Sequence, residues 1–148
     1  MKITFFDDFR LGIVKNDAIV DVTHVATGYP TSGPHDLISG LIERFDQFKP
    51  KLEQAAASGK VIPLASVRIR PPLPRPINID CMAVNYMEDG TRKEPAPINA
   101  FHKSPGAIIG NGDTMVLPDL GASIFEGEAE VALVIGKRAS NEIGRAHV

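Results

Sequence analysis

Residues 71–76 read Pro-Pro-Leu-Pro-Arg-Pro, with four prolines in six positions. Each proline fixes its own φ and removes a backbone donor, so the run can lie neither inside a helix nor in the middle of a sheet. Its stiff, extended conformation suits a connector. The composition also changes after it. The run therefore predicts a small N-terminal domain over 1–70, a linker over 71–76 and a second domain that begins at Ile77.

Before the linker, Lys2 to Phe6, Arg10 to Val14 and Ala18 to Val22 are short segments rich in Ile, Val, Phe and Thr. Asp7-Asp8 and Lys15-Asn16-Asp17 separate them, which predicts a three-stranded antiparallel meander. After a polar loop, Asp36 reads as a helix N-cap. Leu37, Ile38, Leu41, Ile42, Phe45 and Phe48 follow at helical spacing and form one apolar stripe. Pro50 is expected to end or kink that helix. Lys51 to Ala57 would form a second helical piece, stopped by Gly59. His24 and His35 read as surface or structural histidines. The chain contains twelve prolines and thirteen glycines, a turn-rich composition that favours β structure. The fold class expected is α+β, mostly β.

After the linker, Ile77 to Val84 and Asn99 to Lys103 read as strands, joined by a polar loop over 85–95 of the kind that often carries a site. Asn111-Gly112 lies between two apolar runs, Ile108 to Gly110 and Thr114 to Leu117, and predicts a hairpin. Ile124 to Lys137, IFEGEAEVALVIGK, reads as a further strand. Alternation puts Glu126, Glu128 and Glu130 on one face and Gly127, Ala129, Val131, Leu133 and Ile135 on the other. Carboxylates two residues apart on a strand lie roughly 6–7 Å from each other, and like charges held together raise one another's pKa. A divalent cation would relieve that repulsion, and so would simple hydration, which is the commoner case for strand carboxylates. In Asn99–Lys103, His102 and Lys103 point to opposite faces, so at most one of them addresses a given pocket. Lys103 reads as either a surface lysine or a point charge for a substrate carboxylate. Cys81, the single cysteine, reads as a buried small hydrophobe.

Several function classes are disfavoured. Net charge is −2, which supplies no basic field for nucleic acid and no cationic face for a membrane. Val131–Ile135, the longest apolar run, is far too short to span a bilayer. Asp7 and Asp8 argue against a signal peptide, and one cysteine fits a reducing compartment. The expected location is the cytoplasm. No Walker loop, GxGxxG, HExxH, CxxC or GxSxG pattern occurs.

The order of motifs after the linker resembles the fumarylacetoacetate hydrolase family. The matching pieces are Asn85-Tyr86, Pro95-Ala96-Pro97, Phe101-His102-Lys103-Ser104-Pro105, Gly110-Asn111-Gly112-Asp113, Leu117-Pro118 and Glu128-Ala129-Glu130 running into Val134-Ile135-Gly136-Lys137. The N-terminal meander is similar to the small domain that precedes the catalytic one in many members. The resemblance implies a mixed β-roll catalytic domain. It also implies an Mg²⁺ ion, or Mn²⁺ or Ca²⁺ in its place, held by Glu128, Glu130 and a later aspartate. The ion would chelate a small 2-oxo acid and stabilise enolate charge, with Lys103 facing the substrate. Hydrolytic C–C cleavage of an acylpyruvate or related β-diketo acid, in aromatic catabolism, is the activity implied. Isomerisation, hydration or decarboxylation of a related 2-oxo acid is the alternative, and a non-catalytic module of the same fold is a third. A homodimer is implied for the full-length protein.

Two departures qualify the resemblance. Many members carry a histidine and a glutamate as an acid–base dyad where this chain has Asp89 and Arg92. Glu88, Asp89 and Glu94 are the replacements at hand, with Glu88 and Asp89 taken as catalytic candidates. The chain also stops soon after VIGK, at Val148. Its end, Ile143 to Val148, is what the adapter read ATC GGA AGA GCA CAC GTC encodes. The expectation is thus an incomplete catalytic domain over 77–142 with a non-native tail over 143–148, poorly folded alone because Val131, Leu133 and Ile135 would lack a partner.

Overall fold

A computed structural model describes residues 1–84, 93–94, 97–138 and 140–141. The meander forms as its alternation predicts. Strands β1 (Lys2–Phe6), β2 (Arg10–Lys15) and β3 (Ala18–Asp21) pair antiparallel, with Phe5 opposite Leu11 and Ile13 opposite Val20. Asp7, Phe9 and Asn16 take positive φ in the two connections, a region that Asn and Asp tolerate better than most residues.

Two helices cover one face of this sheet. Helix α1 spans Pro34–Glu43 and α2 spans Phe45–Ser58. Phe5, Leu11, Ile13 and Val20 from the sheet form one buried cluster with Ile38, Leu41, Phe48, Leu52 and Ala56 from the helices. On the other face, Phe6 and Ile19 meet over Gly12. A Cβ at Gly12 would lie 2.4 Å from the Ile19 side chain, so that close approach needs glycine.

The helix boundaries differ from the sequence expectation in two places. Helix α1 begins at Pro34, two residues before the expected cap. Proline suits this first helical position, where no intrahelical donor is needed. Asp36 sits in the first turn, where its carboxylate accepts the Ser32 N–H at 3.1 Å. Pro50 does not end the helix. The break falls at Arg44, and Pro50 lies exposed within α2, where water can solvate the carbonyl it leaves without a donor. Gly59 stops α2 as expected.

Two short strands complete the sheet. β4 (Val61–Pro63) pairs with β3 and β5 (Ile69–Arg70) pairs with β1, giving the order β4-β3-β2-β1-β5. After the proline run, whose Leu73 packs against the core, β6 (Ile79–Met82) and β7 (Ala100–Lys103) form a separate two-stranded ladder. Both were expected, β6 over a longer span. Cys81 is buried, as its reading predicts. With two helices and antiparallel sheets the chain is α+β. No helix among the described residues is long and apolar enough to cross a membrane.

The expected hairpin around Asn111-Gly112 does not form. The turn itself does: Asp113 N–H donates to Gly110 O at 3.1 Å. Gly112 alone takes positive φ, at 82°, whereas the two-residue hairpin turn that Asn-Gly favours needs it at both positions. The Gly110 N–H donates to the Asp113 side chain at 2.9 Å, so the bond that would open a ladder is diverted. Ile124 to Lys137 likewise joins no sheet among the described residues. Val131 and Leu133 are 83% and 82% exposed, as expected for an apolar face without a partner.

Candidate functional site

β7 presents Phe101 and Lys103 on one side and His102 on the other, because successive strand side chains alternate. The register sets Lys103 opposite Ile79 and His102 opposite Asp80. The His102 Nδ1 lies 2.5 Å from Asp80 Oδ1, an ion pair when the ring is protonated. Sequence reading missed this pair. Asp80 lies inside a mostly apolar strand candidate, and its partner lies a long stretch of chain further on.

Lys103 and Glu130 do come together. The Lys103 ammonium is 3.7 Å from Glu130 Oε1 and 5.7 Å from the Phe101 ring centre. At that separation the lysine and the glutamate attract by charge without a hydrogen bond. Both are partly open to solvent, where such a pair contributes at most about 1 kcal/mol. Glu126 and Glu128 are exposed and enter no ion pair among the described residues. The alternation expected of residues 124–137 is therefore not imposed by a ladder, and nothing in the backbone pairing aligns the three carboxylates. Glu88, Asp89 and Arg92 lie outside the described residues, as do Asn85, Tyr86 and 142–148.

As donors for a divalent cation, Glu128 and Glu130 fit in kind: carboxylate oxygens are the hard ligands that Mg²⁺, Mn²⁺ and Ca²⁺ prefer. They fall short in number. Such ions take about six oxygens or more, and among the described residues no group of three or more His, Cys, Asp or Glu side chains is gathered to hold one.

No family model matches the chain. A maleylpyruvate hydrolase of Aquipseudomonas alcaligenes is 28% identical over 157 residues, which covers 95% of this chain and 54% of that protein. An oxaloacetate tautomerase of Bacillus subtilis is 35% identical over 94 residues, covering 57% of this chain and 31% of that protein. A crystal structure of maleylpyruvate hydrolase from Sphingobium sp. SYK-6, in complex with manganese(II) and pyruvate, superposes with a TM-score of 0.69 at 32% identity, over 81% of this chain and 43% of that one. The chain thus spans about half the length of the curated relative it matches over nearly all of its own residues. A relative named for the fumarylacetoacetate hydrolase domain is also among the matches. Together with the motif order that runs from Asn85-Tyr86 to the Glu128-Ala129-Glu130 segment, these likenesses support a place for the chain in the fumarylacetoacetate hydrolase family.

Proposed function

We propose that the whole protein is a divalent-metal-dependent enzyme that hydrolyses a C–C bond in an acylpyruvate or related β-diketo acid. The observation that carries this reading is the approach of Lys103 to Glu130, from two separate segments of the second half of the chain. Glu128 and Glu130 would hold the cation. When bound, it would polarise the 2-oxo carbonyl and favour negative charge on that oxygen. Lys103 would supply a point charge for the substrate carboxylate. Glu88 and Asp89 are the proposed groups for activating water and returning the proton. In the balanced reaction, water adds to the acyl carbon and the bond to the neighbouring methylene breaks. The electron pair stays on the pyruvate fragment, which takes up a proton. The likeness to hydrolases of maleylpyruvate, one of them solved with manganese and pyruvate, supports this class of substrate.

A second reading, tautomerisation of a 2-oxo acid such as oxaloacetate, is favoured by the Bacillus subtilis relative. It uses the same cation and lysine and needs no water. Mg²⁺ as the physiological ion, a homodimer and a cytoplasmic location complete the proposal, the last supported by the single cysteine.

Calorimetric titration with Mn²⁺ tests the ligand assignment. Glu128→Ala and Glu130→Ala should each weaken binding about ten-fold or more, and unchanged affinity in both would remove them from the site. Metal-dependent loss of an acylpyruvate chromophore, set against enol–keto exchange of oxaloacetate, separates the two reactions.

A further inference from the structure

We propose that the Gly110–Asp113 turn is a latch that fastens the second half of the chain to the outer edge of the five-stranded sheet, with Arg68 and Asp113 as its two members. Nothing in the family likeness assigns this turn a role.

The arginine is held from behind. Arg68 immediately precedes β5, and its backbone is bonded both ways to the turn after β1: its N–H donates to Asp7 Oδ1 at 2.9 Å, and the Asp7 N–H donates to its carbonyl at 2.8 Å. The neighbouring Arg70 Nε donates to the Asp7 carbonyl at 2.7 Å. From this fixed base the Arg68 guanidinium reaches out with two nitrogens, Nε at 3.2 Å and Nη2 at 2.7 Å from Asp113 Oδ1. Two donors converging on one carboxylate oxygen define direction as well as attraction.

The carboxylate is equally constrained. Asp113 Oδ2 accepts the Gly110 N–H at 2.9 Å, so each of its oxygens has a donor. Its side chain is 22% exposed, against 58% for Arg68, so the pair stays open to solvent on the arginine side and depends on its two-nitrogen geometry rather than on burial. Gly110 itself lies against the strand: a Cβ there would be 2.6 Å from the Ile69 carbonyl oxygen, and backbone cannot shift aside easily.

The seam beside this contact is not sealed by apolar packing. An open groove runs between the turn and the sheet, lined by Leu64, Val67 and Ile69 on one side and Asn111 and Gly112 on the other. The polar clasp is therefore what fastens the turn, with Leu73 of the proline run as a separate tether nearer the core. The segment that leaves the turn carries Glu126, Glu128 and Glu130, so the latch sets where that segment departs from the sheet.

Among the described residues, the charged groups around the latch are Arg68, Arg70, Asp7, Asp113 and Asp17, which lines the same groove. The Gly110 N–H, then Arg68 and Arg70, hold the Asp113 carboxyl below the usual range. A lowered value means that the latch is intact above the ordinary carboxylate pKa and releases only as pH falls through the depressed one.

Hydrogen exchange read by mass spectrometry on the full chain tests the latch. Arg68→Met removes the clasp and leaves the Gly110–Asp113 turn bond in place. It should raise exchange over residues 108–116 about five-fold, as expected for the loss of one charge-assisted contact, with β1–β3 unchanged. Arg68→Lys keeps the charge and loses the two-nitrogen geometry, and should fall between. Arg68→Met in an Asp113→Asn background should add nothing. Wild-type protection over 108–116 in Arg68→Met, or full additivity in the double variant, would overturn the proposal. If Arg68→Met loosens β1–β3 as well, the ranking of wild type, Arg68→Lys and Arg68→Met over 108–116 decides: equal protection in the two variants counts against the latch.

Discussion

Residues 2–70 and residues 114–137 are both rich in alternating or clustered apolar side chains, yet they end in opposite states. In the first region Phe5, Leu11, Val20 and Leu52 are completely buried between sheet and helices. In the second, Val116, Val131, Leu133 and Ile135 are exposed and no ladder forms among the described residues. The difference lies in partners. Each strand of the meander finds its neighbour across a turn of a few residues, and the apolar stripe of α1 and α2 joins the sheet face in one buried cluster. The acidic segment has the pattern of a strand without a neighbouring strand. Strand propensity expresses fit to a pleated, half-buried surface and does not by itself create one. The expectation of poor folding applied to the whole chain, whereas most of the exposed large apolar side chains lie in its second half, with Met1, Phe9 and Val61 the exceptions in the first.

The sharpest test of that contrast is a pair of truncations. Phe5→Ala should destabilise the N-terminal sheet by about 3–5 kcal/mol, measured by chemical denaturation followed by far-ultraviolet circular dichroism. Leu133→Ala should change the same transition by less than about 0.5 kcal/mol. A comparable loss from Leu133→Ala would show that the second region is packed after all. Gly59→Ala should cost about 1–3 kcal/mol, because the added Cβ would sit 2.4 Å from Val20 Cγ1 and 2.7 Å from the Ala55 carbonyl oxygen.

Acid should sharpen the comparison further. Burial pushes the Asp21 carboxyl up, but hydrogen bonds from Thr23 and the ion pair with Arg10 outweigh it and hold it below the usual range. Its contribution to the meander is then fully present above the ordinary carboxylate pKa and is lost as pH falls through the lowered value. Asp21→Asn should flatten the acid limb of a stability-against-pH curve. The smallest expected effect is on stability at Glu128 and Glu130, where alanine should shift the denaturation midpoint by less than the equivalent of about 0.5 kcal/mol while weakening Mn²⁺ binding.

Much of the N-terminal fold was legible because its contacts are local. The spacing of Leu37, Ile38, Leu41, Phe45 and Phe48 announces a helical stripe wherever the helix happens to break. The break at Arg44 was not legible, since proline is the stronger local signal and Pro50 misdirects it. β4 and β5 were missed because three and two residues carry no periodicity. They are strands only by virtue of lying beside β3 and β1. In the candidate site Lys103 and Glu130 were both singled out by motif order, but neither the Asp80–His102 pair nor the Arg68–Asp113 clasp has any signature in sequence. Both join residues separated by long stretches of chain; ladder register decides the first, and the seating of the Gly110–Asp113 turn against Ile69 decides the second.

The sequence by itself determined the meander, the amphipathic stripe and the motif order that singles out Lys103 and Glu130. Those features follow from local sterics and side-chain periodicity, which any short window of chain carries. Only the tertiary structure decided that Asn111-Gly112 turns without opening a hairpin, that the sheet gains two edge strands, and that Asp113 fastens to Arg68. These depend on which backbone donors find which acceptors across space, and the competition for the Gly110 N–H between a ladder and the Asp113 carboxylate is settled only once both are in place.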